Sequence, residues 1–270
     1  MREAERPIQE QPPPAAGYPG MDLPPPPIPD PARTSLFLDF DGTLVDLAAT
    51  PDGVTISPEL GTLLRRLGEA MPGRVAIVSG RSVAQLDAML GDHLTGIAIA
   101  GSHGAERRTP DEGHVLPDRT APLERAVAEL QPYADANGLI FEAKSLGATL
   151  HYRADPSREE AAVAMAEEVA ARHGLHAGRG KMMIEVRLPG DKGSALRTLL
   201  DSAAMTGTEP WFLGDDVTDE DGFAAAQALG GAGILVDPPR TTKARYRLDD
   251  VPAVHDWLAK IADQATEPAA

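Results

Sequence analysis

Short apolar runs that end abruptly in small or charged residues recur along this chain. LFLDF, from Leu36 to Phe40, is the first; RVAIVSG, from Arg74 to Gly80, and GIAIAG, from Gly96 to Gly101, follow. Each has the length of a buried strand. The segments between them read as helices. Ser57 and Pro58 mark the N-cap and first position of a helix to about Ala70, and Ser82 with Gln85 forms a capping box for a helix to about Leu90. Alternating strands and helices with short loops predict a parallel sheet with helices on its faces.

The pattern changes from about Arg108 to Leu188. A helix near Leu123–Ala136, interrupted by Pro132, precedes two strand-like segments, LIFEA and ATLHYR, separated by KSLG. A long helix is predicted after Ser157, with a capping box through Glu160 and an end at His173–Gly174. KMMIEVRL is a further strand. Two adjacent strands imply antiparallel pairing, so this stretch reads as an α+β insert. The first pattern then resumes, with a helix from about Lys192, the strand WFLGD from Trp211 to Asp215, a helix opening at Thr218, the strand GAGILVD and a short C-terminal helix. The expected architecture is α/β, a Rossmann-like parallel sheet core in two pieces, 34–107 and 189–270, with an α+β cap domain at 108–188. Residues 1–33 hold 11 of the 25 prolines and read as a disordered, partly polyproline tail, either a linker or a ligand for a proline-recognising domain.

Composition narrows the partners. The 270 residues carry 25 Lys and Arg against 41 Asp and Glu, a formal charge of -16. Such a surface repels nucleic acid and anionic membranes, and a phosphate ester as well, so a site for one needs local cations. No apolar run is long enough to span a membrane, and the N-terminus lacks a signal-peptide core. Cysteine is absent, which excludes disulfides, thiolate metal sites and a Cys nucleophile and fits a cytoplasmic location. Nothing in the sequence fixes the oligomeric state, and a monomer is compatible with it.

Against that background the ends of the strands stand out. Asp39 and Asp41 begin on one face of the first strand and sit where it stops, followed by Gly42 and Thr43. Like charges so close raise each other's proton affinity unless a cation lies between them. Asp-Gly is also ordinary turn chemistry. VSGR ends the second strand with Ser79 and Arg81, DKGSAL places Lys192 at a helix start, and LGDDVTDED brings Asp215, Asp216 and Asp219 after a late strand. Open α/β sheets bind ligands at their carboxyl ends. Four such ends on one edge supply carboxylates for a metal, a hydroxyl and an ammonium for phosphate oxygens, and a carboxylate for proton transfer.

DFDGTL, VSGR, DKG and GDDVTDED resemble, in order, the four motifs of haloacid-dehalogenase-type phosphohydrolases, with the insert where that superfamily carries its larger α+β cap. AGSHGAE, FEAK with LHYR, KMMIEVR and GDDVTDE are similar to trehalose-6-phosphate phosphatases over about residues 34–260. EVRLPGDKG departs from that family, where proline often follows the arginine directly. The resemblance implies that Asp39 is the nucleophile and forms an aspartyl-phosphate, and that Asp41 is the general acid and base. It implies Mg2+ as cofactor, held by Asp39, the Asp41 carbonyl and Asp215, with Asp219 a direct or supporting contributor. Ser79 and Lys192 would hold phosphoryl oxygens. The sugar of trehalose 6-phosphate would meet Glu142, Lys144 and Glu185 of the cap, with Arg81, His103 and Arg153 as further substrate-binding residues. His103 also reads as a hydrogen-bonded hinge histidine, and Arg153 as part of a salt bridge inside the cap. The competing readings are a phosphatase or phosphomutase for another sugar phosphate, and a non-catalytic sugar-phosphate-binding module.

Overall fold

A computed structural model describes residues 23–47, 53–180 and 182–266. Two sheets organise them. The larger is built from β1 (Thr34–Leu38), β2 (Val75–Val78), β3 (Ala98–Gly101), β4 (Glu106–Thr109) and β5 (Gly113–Val115), and from β10 (Glu209–Gly214), β11 (Ala232–Val236) and β12 (Tyr246–Leu248) late in the chain. Its order is β12-β11-β10-β1-β2-β3-β4-β5. The first six strands in that order run parallel, and β4 and β5 close one edge as an antiparallel hairpin.

Strands buried on both faces need apolar residues at every position. β1 shows this directly. Leu36 and Leu38 pack on one side with α1 (Pro58–Ala70), α2 (Val83–Leu90) and α7 (Val251–Thr266). Phe37 packs on the other, with α5 (Lys192–Leu200) and α6 (Glu220–Ala228). The result is a three-layer α/β/α core. The helix starts follow the predicted chemistry. Ser57 accepts from Leu60 N with Pro58 in the first turn, and Ser82 and Gln85 form the reciprocal capping box.

The smaller sheet has the order β6-β7-β9-β8 and is antiparallel throughout, from β6 (Ile140–Lys144), β7 (Gly147–His151), β8 (His176–Gly180) and β9 (Met183–Arg187). α3 (Ala121–Asn137) and α4 (Glu159–His173) cover one of its faces, where Ala148, Leu150, Ile184 and Val186 join Leu130, Ala166 and Val169 in a separate core. The other face carries Glu142, Lys144, Thr149 and Glu185, with Ile140 and Met183 in the row of His151.

Four expectations are corrected. The insert does not leave the core at Arg107, because Arg107 and Arg108 lie in β4, paired with β3 and β5; the chain departs after Val115. Ser157 does not cap α4. It sits in a single turn, Pro156–Arg158, capped by the carboxylate of Asp155, which outcompetes a hydroxyl as acceptor. The C-terminal helix is not short but 16 residues long. The proline-rich stretch is not wholly disordered either. Residues 1–22 lie outside the described residues, but from Leu23 the chain runs extended over the core, with Leu23 buried. Proline lacks an N–H but keeps its carbonyl. Pro24 O accepts from Arg247 N (3.1 Å), Pro27 O from Trp257 Nε1 (3.1 Å) and Pro31 O from Arg74.

Candidate active site

β1 lies between β10 and β2, so the chain leaves its carboxyl end toward one neighbour and returns on the other. Asp39 N donates to Leu213 O (2.9 Å), which carries the pairing one residue past β1 and fixes the Asp39 backbone. Its side chain is buried. Gly42 follows in the left-handed region at φ +88°, and a Cβ there would stand 2.2 Å from Asp215 Oδ2. A Cβ at Gly214 would stand 2.1 Å from Asp219 Cγ. Gly42 lets the loop after β1 close on the loop after β10, and Gly214 lets that second loop fold Asp219 back onto the end of its own strand. One oxygen from each of Asp39, Asp215 and Asp219 then lies within 4.8 Å of the others.

Lys192 opens α5, whose N-cap Asp191 accepts from Ser194 N (2.8 Å). Its buried ammonium donates to Asp39 Oδ1 and Asp219 Oδ1, each at 2.6 Å. The second Asp219 oxygen accepts from Asp216 N (2.9 Å), so both its oxygens are engaged by protein donors. Three carboxylates thus face one ammonium. Burial, with Asp215 as a like-charged neighbour, raises Asp39 to about 6 even beside Lys192. Burial and the charge of Asp219 raise Asp215 to about 6; burial and the charge of Asp39 raise Asp219 to about 7. Burial alone would lower Lys192, but Asp39 and Asp219 overcome it and hold its pKa above the ordinary value. A cation between Asp39 and Asp215 would relieve the strain on both, so these residues fit a metal ion of oxygen-seeking type.

The proton-transfer candidate is held differently. Arg81 forks Asp41, with Nε to Oδ2 at 2.7 Å and Nη2 to Oδ1 at 2.8 Å, while its guanidinium lies 5.7 Å from the centre of the Phe40 ring. Arg81 was expected at the substrate; here it grips the Asp41 carboxylate. Ser79 is buried at the end of β2, its Oγ accepting from Arg81 N (3.1 Å).

The cap presents its polar face to this edge. Lys144 Nζ donates to Glu185 Oε1 (2.7 Å), and the other Glu185 oxygen lies 3.7 Å from His103 Nε2 of the core and 3.8 Å from Arg187 Nε. Glu185, His103 and Lys144 are thereby brought together across the two sheets. Burial and the cations Arg187, Lys192 and Lys144 push His103 down to about 3, which keeps the imidazole neutral at neutral pH. Glu142 lies on the same face but pairs with His151 (2.8 Å). Arg153 joins neither cluster. It is exposed in the turn beyond β7, at the end remote from the hinge, and makes no hydrogen bond or ion pair with the described residues.

Two residues without an individual sequence assignment matter here. Arg187 Nη1 donates to Leu188 O (3.2 Å) and Gly190 O (2.9 Å), bracing the strand that returns to the core. Glu106 is buried, accepts from Ser102 Oγ (2.7 Å) and pairs with His114 Nε2 (3.1 Å). It splints a turn in which Ser102 and His103 both have positive φ, 50° and 57°. AGSHGAE marked the place, but strain has no periodicity to read.

A parallel sheet with carboxylates and a lysine at its carboxyl edge, capped by a separate antiparallel sheet, defines a haloacid-dehalogenase-type hydrolase. Solved structures agree on the fold: a haloacid dehalogenase-like hydrolase from Bacteroides thetaiotaomicron superposes with TM-score 0.65 at 18% identity, covering 85% of this chain and 99% of that one. The C-terminal domain of Candida albicans trehalose-6-phosphate phosphatase does so with TM-score 0.72 at 22% identity, over 92% and 99%. The trehalose-phosphatase family profile matches residues 37–252. Trehalose-6-phosphate phosphatase of Escherichia coli (strain K12) is 36% identical over 235 residues, 85% of this chain and 87% of that one. A probable trehalose-phosphate phosphatase of Sinorhizobium fredii is 38% identical over 232 residues, 84% and 86%. The chain belongs to the trehalose-phosphatase family. Among the described residues no helix is long and apolar enough to cross a membrane.

Proposed function

We propose that this protein hydrolyses trehalose 6-phosphate to trehalose and phosphate in the cytoplasm, with Mg2+ as its metal. The observation that carries the reading is Lys192 bridging Asp39 and Asp219 beside Asp215, beneath a cap face that presents Glu185 and Lys144. Asp39 is the nucleophile. Its oxygen forms a bond to phosphorus as the bond from phosphorus to the sugar 6-oxygen breaks. Asp41 is the general acid that passes a proton to the leaving oxygen, then the general base that takes one from the water that cleaves the aspartyl-phosphate. The Arg81 fork fixes where the Asp41 carboxylate points. Lys192 holds the nucleophile in place and, with Ser79, faces the phosphoryl oxygens. Asp39, the Asp41 carbonyl and Asp215 would hold Mg2+, with Asp219 supporting them through Lys192. When bound, the ion supplies positive charge to the transferring phosphoryl group. The segment between Val115 and Lys192 acts as the cap, closing to bring Glu142, Lys144 and Glu185 to the sugar and to exclude water.

Phosphate release from trehalose 6-phosphate, glucose 6-phosphate and p-nitrophenyl phosphate, with Mg2+ and with chelator, tests this reading. The disaccharide ester should be turned over fastest, and only with metal. Equal or better release from glucose 6-phosphate would overturn the substrate, and isomerisation of a sugar phosphate without release would point to a mutase.

A further inference from the structure

Thr149 occupies the middle of the cap sheet. In β7 it is paired with Glu142 of β6 on one side and Glu185 of β9 on the other. Directly opposed residues point to the same side of a sheet, and successive residues alternate. Ala148, paired with Ala143 and Val186, belongs to the core beneath α3 and α4. Thr149 therefore faces the cleft, in one row with two of the sugar-binding candidates.

Its hydroxyl has no partner. Thr149 is fully buried, and its Oγ1 makes no hydrogen bond among the described residues. The polar side chains around it are all engaged: Glu142 with His151, Lys144 with Glu185, Arg187 with the hinge carbonyls. A hydroxyl buried without a partner is destabilising. Valine has nearly the same shape, is equally suited to a strand and carries no such penalty. The fold gains nothing visible from the oxygen, so its use lies in what the cleft takes up.

We propose that Thr149 is a specificity-determining residue whose hydroxyl bonds a hydroxyl of the sugar held between Glu142 and Glu185. This rests on the reading of the substrate as a sugar phosphate. A sugar hydroxyl both donates and accepts, and so does threonine, so the pair can form in either direction. The partners that now occupy Glu142 and Glu185 are His151 and Lys144, both side chains of the same face. A sugar that takes up those carboxylates displaces these side chains and reaches the oxygen in the row between Glu142 and Glu185.

The test compares Thr149→Val and Thr149→Ser with the wild-type chain, all with Mg2+. Steady-state kinetics are measured on trehalose 6-phosphate and on p-nitrophenyl phosphate, together with thermal unfolding. Thr149→Val should raise KM for the disaccharide ester roughly 2- to 10-fold, the range expected for one neutral hydrogen bond. Its turnover of p-nitrophenyl phosphate should be unchanged, and its unfolding temperature equal or higher. Thr149→Ser, which keeps the hydroxyl, should keep the wild-type KM. A Thr149→Val enzyme whose two activities fall together with its unfolding temperature would show a packing role and overturn the proposal. So would a wild-type preference for the disaccharide ester that survives intact in Thr149→Val, and that outcome would leave the substrate reading standing. A wild-type enzyme with no such preference would overturn the substrate reading and this proposal with it.

Discussion

The two walls of the cleft are built with different charge balances. On the core side Asp39 and Asp219 share the ammonium of Lys192, with Asp215 as a third carboxylate beside them. On the cap side Glu185 sits among Lys144, Arg187 and the neutral ring of His103, while Glu142 on the same face pairs with His151. The core wall is short of positive charge, whereas on the cap wall Lys144 and Arg187 match Glu185 and Glu142. A cation completes the first. The second suits a ligand that brings hydroxyls and a dianionic ester. The difference also explains how a chain of net charge -16 can admit a phosphate ester at all, since cations line the cleft where the ester must lie.

The comparison breaks most sharply at Asp39, the proposed nucleophile. Asp39→Asn should abolish the phospho-enzyme, because an amide oxygen does not attack phosphorus at a useful rate. Asp41→Asn should instead keep the main-chain carbonyl and part of the Arg81 contact but lose proton transfer, at a cost of ~10²–10⁴-fold in kcat. Rapid-quench trapping of labelled phospho-enzyme tells the two apart. Wild-type turnover in an Asp39→Asn enzyme would end the covalent mechanism.

A change on the cap wall should act on a smaller scale and on one substrate only. Glu185→Ala removes the carboxylate that meets Lys144 and His103. A hydrogen bond involving a charged group contributes roughly 1.5–3 kcal/mol. The ratio of trehalose 6-phosphate to p-nitrophenyl phosphate turnover should therefore fall on the order of 10- to 100-fold, with the small ester nearly unaffected. An unchanged ratio in Glu185→Ala, Glu142→Ala and Lys144→Ala together would mean that the cap reads the sugar through other residues.

How far the sequence reaches differs between the two walls for the same physical reason. Asp39, Asp41, Ser79, Lys192, Asp215 and Asp219 were legible because each stands where a strong local pattern stops, an apolar strand or a capped helix start. Ser57 with Pro58, and Ser82 with Gln85, were legible as local chemistry too. β4, β5, β8 and β12 read ERRT, GHV, HAGRG and YRL, short segments with little apolar pattern, and each lies at or near a sheet edge held mainly by backbone pairing. The extended run from Leu23 was misread because proline content speaks against helices and ladders but not against carbonyls that accept side-chain bonds. The Arg81–Asp41 fork, the Glu106–Ser102 splint and the exclusion of Arg153 are tertiary facts, made by residues that only the fold brings together or keeps apart.

The smallest expected effect is on stability, and it sharpens the charge comparison directly. Asp39, Asp215 and Asp219 have folded-state pKa values raised from 3.8 to about 6, about 6 and about 7. Between those limits the folded protein binds more protons than the unfolded chain, so their contribution to stability is fully present below about pH 4 and is lost as pH rises through about 7. His103 works the other way. Its value, lowered to about 3, gives a contribution that is present above the ordinary 6.5 and lost as pH falls toward 3. The pH profile of the metal-free protein mixes the two. The increment on adding Mg2+ does not, because the metal takes deprotonated carboxylates and leaves His103 untouched. That increment should be small near pH 4 and largest above pH 7. Saturation at about a hundred times Kd corresponds to roughly 2.7 kcal/mol, or on the order of 5–10 °C in unfolding temperature for a chain of this size. Asp215→Asn should remove most of the increment. Glu185→Gln, on the wall that already has its cations, should leave it in place. Differential scanning calorimetry across pH, with and without Mg2+, measures all three. An increment that is flat with pH, or that falls equally in both variants, would mean that the deficit of positive charge is not confined to the core wall.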